Sequence, residues 1–286
     1  MKKKIIGIFV CLLLVSTIII PVAAITKKHE TRMASYTADV PIWEVGDEWT
    51  YHFNEFKTRE IYLSLSGDLT LKVVDETGDS YILEATTRPQ GGFEYENIKL
   101  KTTRLTFYTI RLQIRKSDLG LENYEERIKG IALLTIGSFR IPIPIQFEGH
   151  FNVEFDPTWK IIPFPLYNGK NGYLSSVEFW HTNVFLNMFW GLIPVLPASE
   201  ESFPVTEVPY TCSQEQLTVK AGIFDVYNVT AEWFEGSKFV SYYSEEVGNI
   251  VKEVIYVRSG WGVNHALTLE LKDWSKTHKG SNPTFN

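Results

Sequence analysis

Side chains able to do chemistry are few in this chain, and they are scattered. Six histidines stand at positions 29, 52, 150, 181, 265 and 278. No two have the HxH or HxxxH spacing that would place two imidazoles on one metal ion. His52 and His150 fall on the polar parity of strand-like segments, where a solvated or hydrogen-bonded ring is the ordinary use. No metal site and no cofactor is therefore expected. Cys212 reads as a small buried hydrophobe at the start of a strand, with a nucleophile or an intermolecular bridge as its other uses. Ser64, Ser66, Ser175 and Ser176 lack a nucleophile-elbow context, and Gly91, Gly92, Gly120 and Gly137 form neither a phosphate-cradling loop nor a dinucleotide fingerprint. Glycoside hydrolysis needs two carboxyls at a set separation. Asp68, Asp75, Glu148 and Glu154 lie on strands or at their ends, but no spacing selects two of them, so they read as surface acids. Thr77-Gly78-Asp79 offers at most a weak cation contact and is no calcium loop. No catalytic residue is assigned. One modification signal stands: Asn228-Val229-Thr230 is a formal glycosylation acceptor. Its asparagine lies on the strand face opposite Tyr227 and Val229, and it shares its parity with the apolar Phe224 and Val226.

The context for any such chemistry comes from the N-terminus. Three lysines at 2–4 precede an apolar run over residues 5–25, a pattern that leaves the charged end in the cytoplasm while the run enters a bilayer. Val22-Ala23-Ala24 has the small side chains a signal peptidase reads, which makes residues 1–24 a signal peptide. Residues 5–25 are also just long enough to stay as a membrane anchor. Either way the rest is expected to be extracytoplasmic, secreted or tethered to the outer face of the cytoplasmic membrane. Cys11 has no small-residue lipobox before it, so bacterial-type lipidation there is not expected. Residues 1–24 carry three lysines and no acid, so their removal takes the net charge from −6 to −9, a surface that does not attract nucleic acid. Cys212 is then the only cysteine of the exported part, which excludes a disulfide framework and leaves packing to hold the fold.

The elements that must supply that packing read as strands. The 14 tyrosines, 18 phenylalanines and 8 tryptophans are spread along extended segments, a content that suits sheets. Residues 25–40 form a polar tether, and the β domain runs over 41–274. In residues 41–53, Trp49, Tyr51 and Phe53 alternate with Thr50 and His52. Residues 61–67, 68–79 and 80–87 continue as a meander, with Leu69, Leu71 and Val73 on one parity. Residues 118–129 are the one mature stretch able to form a short helix, and their charges also suit a solvated turn. In residues 146–156, Phe147, Phe151, Val153 and Phe155 share one parity and Glu148, His150, Asn152 and Glu154 the other, as in an antiparallel sheet with one wet face. Nine of the 13 prolines lie between Pro142 and Pro209, a zone at 142–209 that separates two meander halves. Pro142 and Pro144 belong at an edge or a crossing. The segment 177–198 is dense in Phe179, Trp180, Phe185, Phe189 and Trp190. It reads as a hairpin completing the core, as the lining of an apolar pocket, or as a patch facing a membrane or partner. Residues 213–257 give four strands with turns at 220–222, 235–236 and 246–249, residues 267–274 add a last strand, and 275–286 read as a frayed tail.

Four segments together resemble a group of exported, mostly uncharacterised β-rich proteins of prokaryotes. Gly46, Asp47, Trp49 and Tyr51 match a Gly-Asp-x-Trp-x-Tyr start. Phe164, Pro165, Leu166, Gly169 and Lys170 match a central Phe-Pro-Leu and Gly-Lys element. Ala221, Gly222, Phe224, Asp225 and Tyr227 match an Ala-Gly-x-Phe-Asp-x-Tyr hairpin, and Tyr242, Tyr243, Ser244, Glu246, Val247 and Gly248 match a closing turn. Asn171-Gly172-Tyr173 stands where a tryptophan often follows the Gly-Lys pair. The resemblance implies the half-barrel architecture of periplasmic lipoprotein carriers.

The expected fold is thus all-β, or β with a minor helix: a strongly curved antiparallel meander sheet, half-barrel or open-barrel-like. The expected function is non-enzymatic binding of an apolar small molecule, lipid or lipidated protein in a groove lined by Phe179, Trp180, Phe185, Phe189 and Trp190. A buried ligand there would gain about 25 cal/mol per Å² of apolar area. The alternatives are a structural or adhesion-type surface module in which those aromatics are core, and an envelope hydrolase.

Overall fold

The structure, a computed structural model, describes residues 37–277 apart from 55–61, 88–89, 96–97, 137–142, 161, 176, 189–192, 206, 233–236 and 260–261. Among the described residues every regular element is a strand. In chain order these are β1 (Glu48–Asn54), β2 (Tyr62–Glu76), β3 (Ser80–Thr87), β4 (Gln90–Tyr95), β5 (Ile98–Arg115), β6 (Leu121–Ile136), β7 (Ile143–Trp159) and β8 (Asn171–Leu174). There follow β9 (Val177–Met188), β10 (Ile193–Val205), β11 (Val208–Val219), β12 (Gly222–Glu232), β13 (Lys238–Ser244), β14 (Asn249–Ser259) and β15 (Gly262–Ser275).

All fifteen belong to one antiparallel sheet. Its path runs β10, β9, β7, β6, β5, β3, β2, β1, β15, β14, β13, β12, β11, β8, with β4 off the path against β2 and β5. Two meanders are thereby joined through the first and last strands, Trp49 lying opposite Trp274 and Tyr51 opposite Leu271. The 142–209 zone supplies β8 at one outer margin and β10, β9 and β7 in succession from the other.

The period-2 alternation of apolar residues sets one face of this sheet. Tyr51 pairs with Leu69 and Trp49 with Leu71, then Leu71 with Ala85, Leu83 with Leu112, Leu112 with Tyr124 and Tyr124 with Val153, all of them buried. Over β1, β2, β6 and β7 the opposite face is wet, whereas on β11–β14 it too buries apolar residues, among them Leu217, Val226, Val240, Tyr242 and Val254. On the wet part Thr50 and Thr70 hydroxyls meet at 3.1 Å, Lys72 pairs with Glu48 at 3.4 Å, and Lys129 pairs with Glu148 at 3.0 Å. Exposed ion pairs contribute roughly 0–1 kcal/mol each, whereas a buried Leu or aromatic side chain contributes about 1.5–3 kcal/mol. The apolar face therefore decides the fold.

Two expectations are corrected here. The sheet is not the strongly curved half-barrel or open barrel that the motifs implied; it is one wide antiparallel sheet, not closed into a barrel, whose path ends in two unjoined margins, β10 and β8. The physical reason lies in those margins. β10 carries Pro194, Pro197 and Pro204, which have no N–H to give a ladder, and β8 is four residues long. The helix or solvated turn considered for 118–129 is also overturned beyond its first residues. Leu121–Ile136 is strand, with Tyr124 and Glu126 buried and Arg127 exposed. Only the turn that precedes it is charged in the way expected, Asp118 accepting from Arg115 at 2.8 Å and from Lys160 at 2.9 Å. The 61–67 and 68–79 segments merge into the single strand β2. Pro142 lies outside the described residues, and Pro144 lies opposite Leu133 on a stretch of β7 beyond the pairings with β9.

Candidate functional site

The four motifs converge. The segment 37–47 crosses one end of the apolar face, and Trp43 is its anchor. Its backbone N–H donates to the Tyr81 hydroxyl at 3.1 Å and its indole N–H to the Gly248 carbonyl at 2.7 Å. Its ring lies 5.3 Å from both Trp49 and Tyr81. Trp49 donates to the Val247 carbonyl at 3.4 Å, and Tyr51 to the Ile250 carbonyl at 3.2 Å. The opening motif therefore exists to grip the β13–β14 turn. Gly46 sits at φ 109°, a conformation side chains rarely adopt, which lets Asp47 turn back. Asp47 accepts from the Glu44 N–H at 3.0 Å and from the Thr277 N–H at 2.7 Å, tying the start of the fold to its end.

The central motif lies on the same face. Ala38 and Leu166 exchange two backbone hydrogen bonds, of 2.8 and 2.7 Å, and both are fully buried. Phe164 meets Tyr243 edge to face at 5.0 Å. Gly169 and Lys170 pair with Cys212 through bonds of 2.9 and 2.7 Å, and the Lys170 ammonium donates to the carbonyls of Pro163 and Pro165. The hairpin motif closes the arrangement, Ala221 donating to the Leu271 carbonyl at 3.0 Å. Most motif residues with an assigned contact are thus packed or hydrogen-bonded within the junction, whereas the exposed Asp225 meets only Gln216 of its own hairpin among the described residues. The arrangement fixes segments in place; it does not hold a proton donor against an acceptor over open space.

Cys212 fits this use. Burial pushes its thiol up to about 11, the nearby Lys170 charge opposing that rise only in part. A buried thiol is a poor nucleophile. A thiol reagent applied to the native chain is expected to leave Cys212 unmodified and to label it fully after unfolding, as read by intact mass; fast labelling of the native chain would contradict the burial.

The candidate ligand-lining residues fall elsewhere. Phe179, Trp180 and Phe185 lie on β9, opposite Phe155, Glu154 and His150 of β7, in the hairpin that forms one margin of the sheet. Phe189 and Trp190 lie outside the described residues. Asn228 is half-buried in β12, opposite Ser213 and Tyr242 of its two neighbours. It donates to Glu215 at 2.7 Å and accepts from the Thr230 hydroxyl at 3.1 Å. His52 and His150 occupy the wet face: His52 meets Asp68 at 2.8 Å, and His150 meets Glu125 at 3.0 Å. Hydrogen bonds from Lys272 and then His52 hold the Asp68 carboxyl below its usual range. Among the described residues no group of three or more histidines, cysteines and acids could hold a metal ion.

Sequence reasoning missed the buried acids. Asp47, Glu126 and Glu253 are all buried. A signal was present for two of them, since Glu126 shares the parity of Tyr124, and Glu253 that of Val251 and Ile255. The Tyr124 hydroxyl satisfies Glu126 at 2.6 Å. Among the described residues Glu253 receives only a long 3.4 Å bond from Ser241, and its Oε2 has no hydrogen-bond partner. Burial pushes its carboxyl well above the usual range.

Compared with known proteins, the chain matches no family model, no curated protein and no solved structure.

Proposed function

We propose that this chain is an extracytoplasmic, non-enzymatic surface module of structural or adhesion type, its core filled by its own side chains. One observation carries the reading: Trp43, Phe164 and Leu166, from two segments outside the long strands, are packed against the apolar face of the sheet. A carrier would keep that face available for its ligand, because its affinity comes from apolar area withdrawn from water. The wet face, with its threonine and ion-pair ladders, suits contact with solvent or a polar surface. The apolar run at 5–25 supplies export or tethering in this reading, and the four motifs resemble those of exported β-rich proteins.

Native mass spectrometry with lipid extraction, on protein purified from its own host's envelope, tests this. The expected result is a bare chain mass that stays unchanged when envelope lipids are offered. A stoichiometric lipid, lost when Trp180 and Phe185 are replaced by polar residues, would overturn the reading in favour of an apolar-ligand carrier.

A further inference from the structure

We infer that Glu253 is a proton-operated latch: with its carboxyl neutral, β14 stays seated between β13 and β15 against Tyr51, and ionisation unseats it. The geometry is that of a charge with nowhere to go. Glu253 is 1% exposed, lies opposite Ser241 on β13 and Leu269 on β15, and is flanked on its own strand by Val251 and Ile255. Ser241 offers one hydroxyl at 3.4 Å, longer than a strong O–H···O bond, and Oε2 has no hydrogen-bond partner among the described residues. From β1 the group facing it is the Tyr51 phenol, itself raised by burial and by the Glu253 charge, and its hydroxyl already donates to the Ile250 carbonyl. Among the described residues no cation thus meets Glu253 from β1, β13 or β15.

A neutral carboxyl can sit in such a site at modest cost, whereas an unpaired carboxylate cannot. The folded state therefore holds the proton more tightly than the unfolded chain does. Stability is fully present below the ordinary glutamate value and is lost as pH rises from there to the folded-state value, where the loss levels off. What is unseated matters, because β14 and the turn before it carry the carbonyls that receive Trp43, Trp49 and Tyr51. Loss of the proton thus weakens the grip on the 37–47 segment and opens the motif junction.

The test uses the full chain with its glutamate carboxyls labelled with carbon-13 and followed by NMR from about pH 4 to about pH 9, together with unfolding at each pH. One carboxyl is expected to stay protonated through neutral pH and to be missing in Glu253→Gln. The wild-type folding constant should fall by up to about tenfold per pH unit above the ordinary glutamate value, and Glu253→Gln should lose that component. Hydrogen exchange over Lys238–Ser259, compared at matched pH above neutral, should be faster in wild type than in Glu253→Gln. Ser241→Ala removes the one donor that favours the ionised form, so it should move the titration to higher pH; this arm decides the matter if Glu253→Gln does not fold. A carboxyl set that ionises wholly in the ordinary range, an unchanged pH slope in Glu253→Gln, or a titration indifferent to Ser241→Ala would each overturn the latch.

Discussion

Trp49→Ala is expected to destabilise the protein by about 3–5 kcal/mol, the range for removing a large aromatic from a packed core. Trp49 is 0% exposed, pairs with Leu71 and Trp274 on its two neighbouring strands, touches Trp43 and donates to the Val247 carbonyl. Alanine would leave a cavity where the two meanders meet and an unpaired carbonyl in the β13–β14 turn. Trp49→Phe keeps most of the apolar volume and loses the donor, so its loss should be smaller, the hydrogen bond accounting for about 1 kcal/mol. Urea unfolding followed by circular dichroism measures both. Native domains are stable by only about 5–15 kcal/mol, so the alanine variant should show a large fall in midpoint. A loss under about 1 kcal/mol would mean that β1 is not the seam of the fold.

Leu166→Ala tests the filled face directly. Leu166 is fully buried although it lies outside the long strands, and its backbone pairs with Ala38. Truncation should cost about 2–5 kcal/mol by the same cavity argument. The change should be local first, because segments with few partners open before the sheet does. Limited proteolysis should then cut within residues 37–47 or 162–170 before the strands, and a dye that binds exposed apolar surface should bind more strongly than to wild type. Unaltered proteolysis and dye binding would show that these segments do not cover the face, and would remove the observation behind the proposed function.

Much of the sheet could be read from alternation alone. Leu69, Leu71 and Val73, or Phe151, Val153 and Phe155, are buried as their parity requires, because a strand that buries one face writes a period of two into its side chains. The charged stretch around Tyr124 misled for a definite reason. Glu126 counted as a solvated residue, whereas the Tyr124 hydroxyl pairs with it inside the core. Neighbour order was not legible at all. Which strands pair depends on contacts far apart in sequence, and nothing near Trp49 announces that Trp274 lies opposite it. The likeness of the motifs to carrier half-barrels pointed to curvature, but the motifs turn out to specify a junction at one end of the sheet. Junction residues such as Trp43 and Gly248 meet across 205 positions of chain, and local pattern holds no record of such a meeting.

The composition of the outer strands governs how this chain behaves at high concentration. An open sheet this wide offers a template at each margin, and a second chain that docked there would offer a fresh template in turn, the route by which β-proteins grow into fibres. At β10 that growth meets Pro194, Pro197 and Pro204, together with the acidic Glu200 and Glu201. At β8 the template ends after four residues. The prolines that keep one copy from closing on itself thus also hinder copies from polymerising, and replacing the three prolines of β10 would turn a terminus of the sheet into a site of assembly.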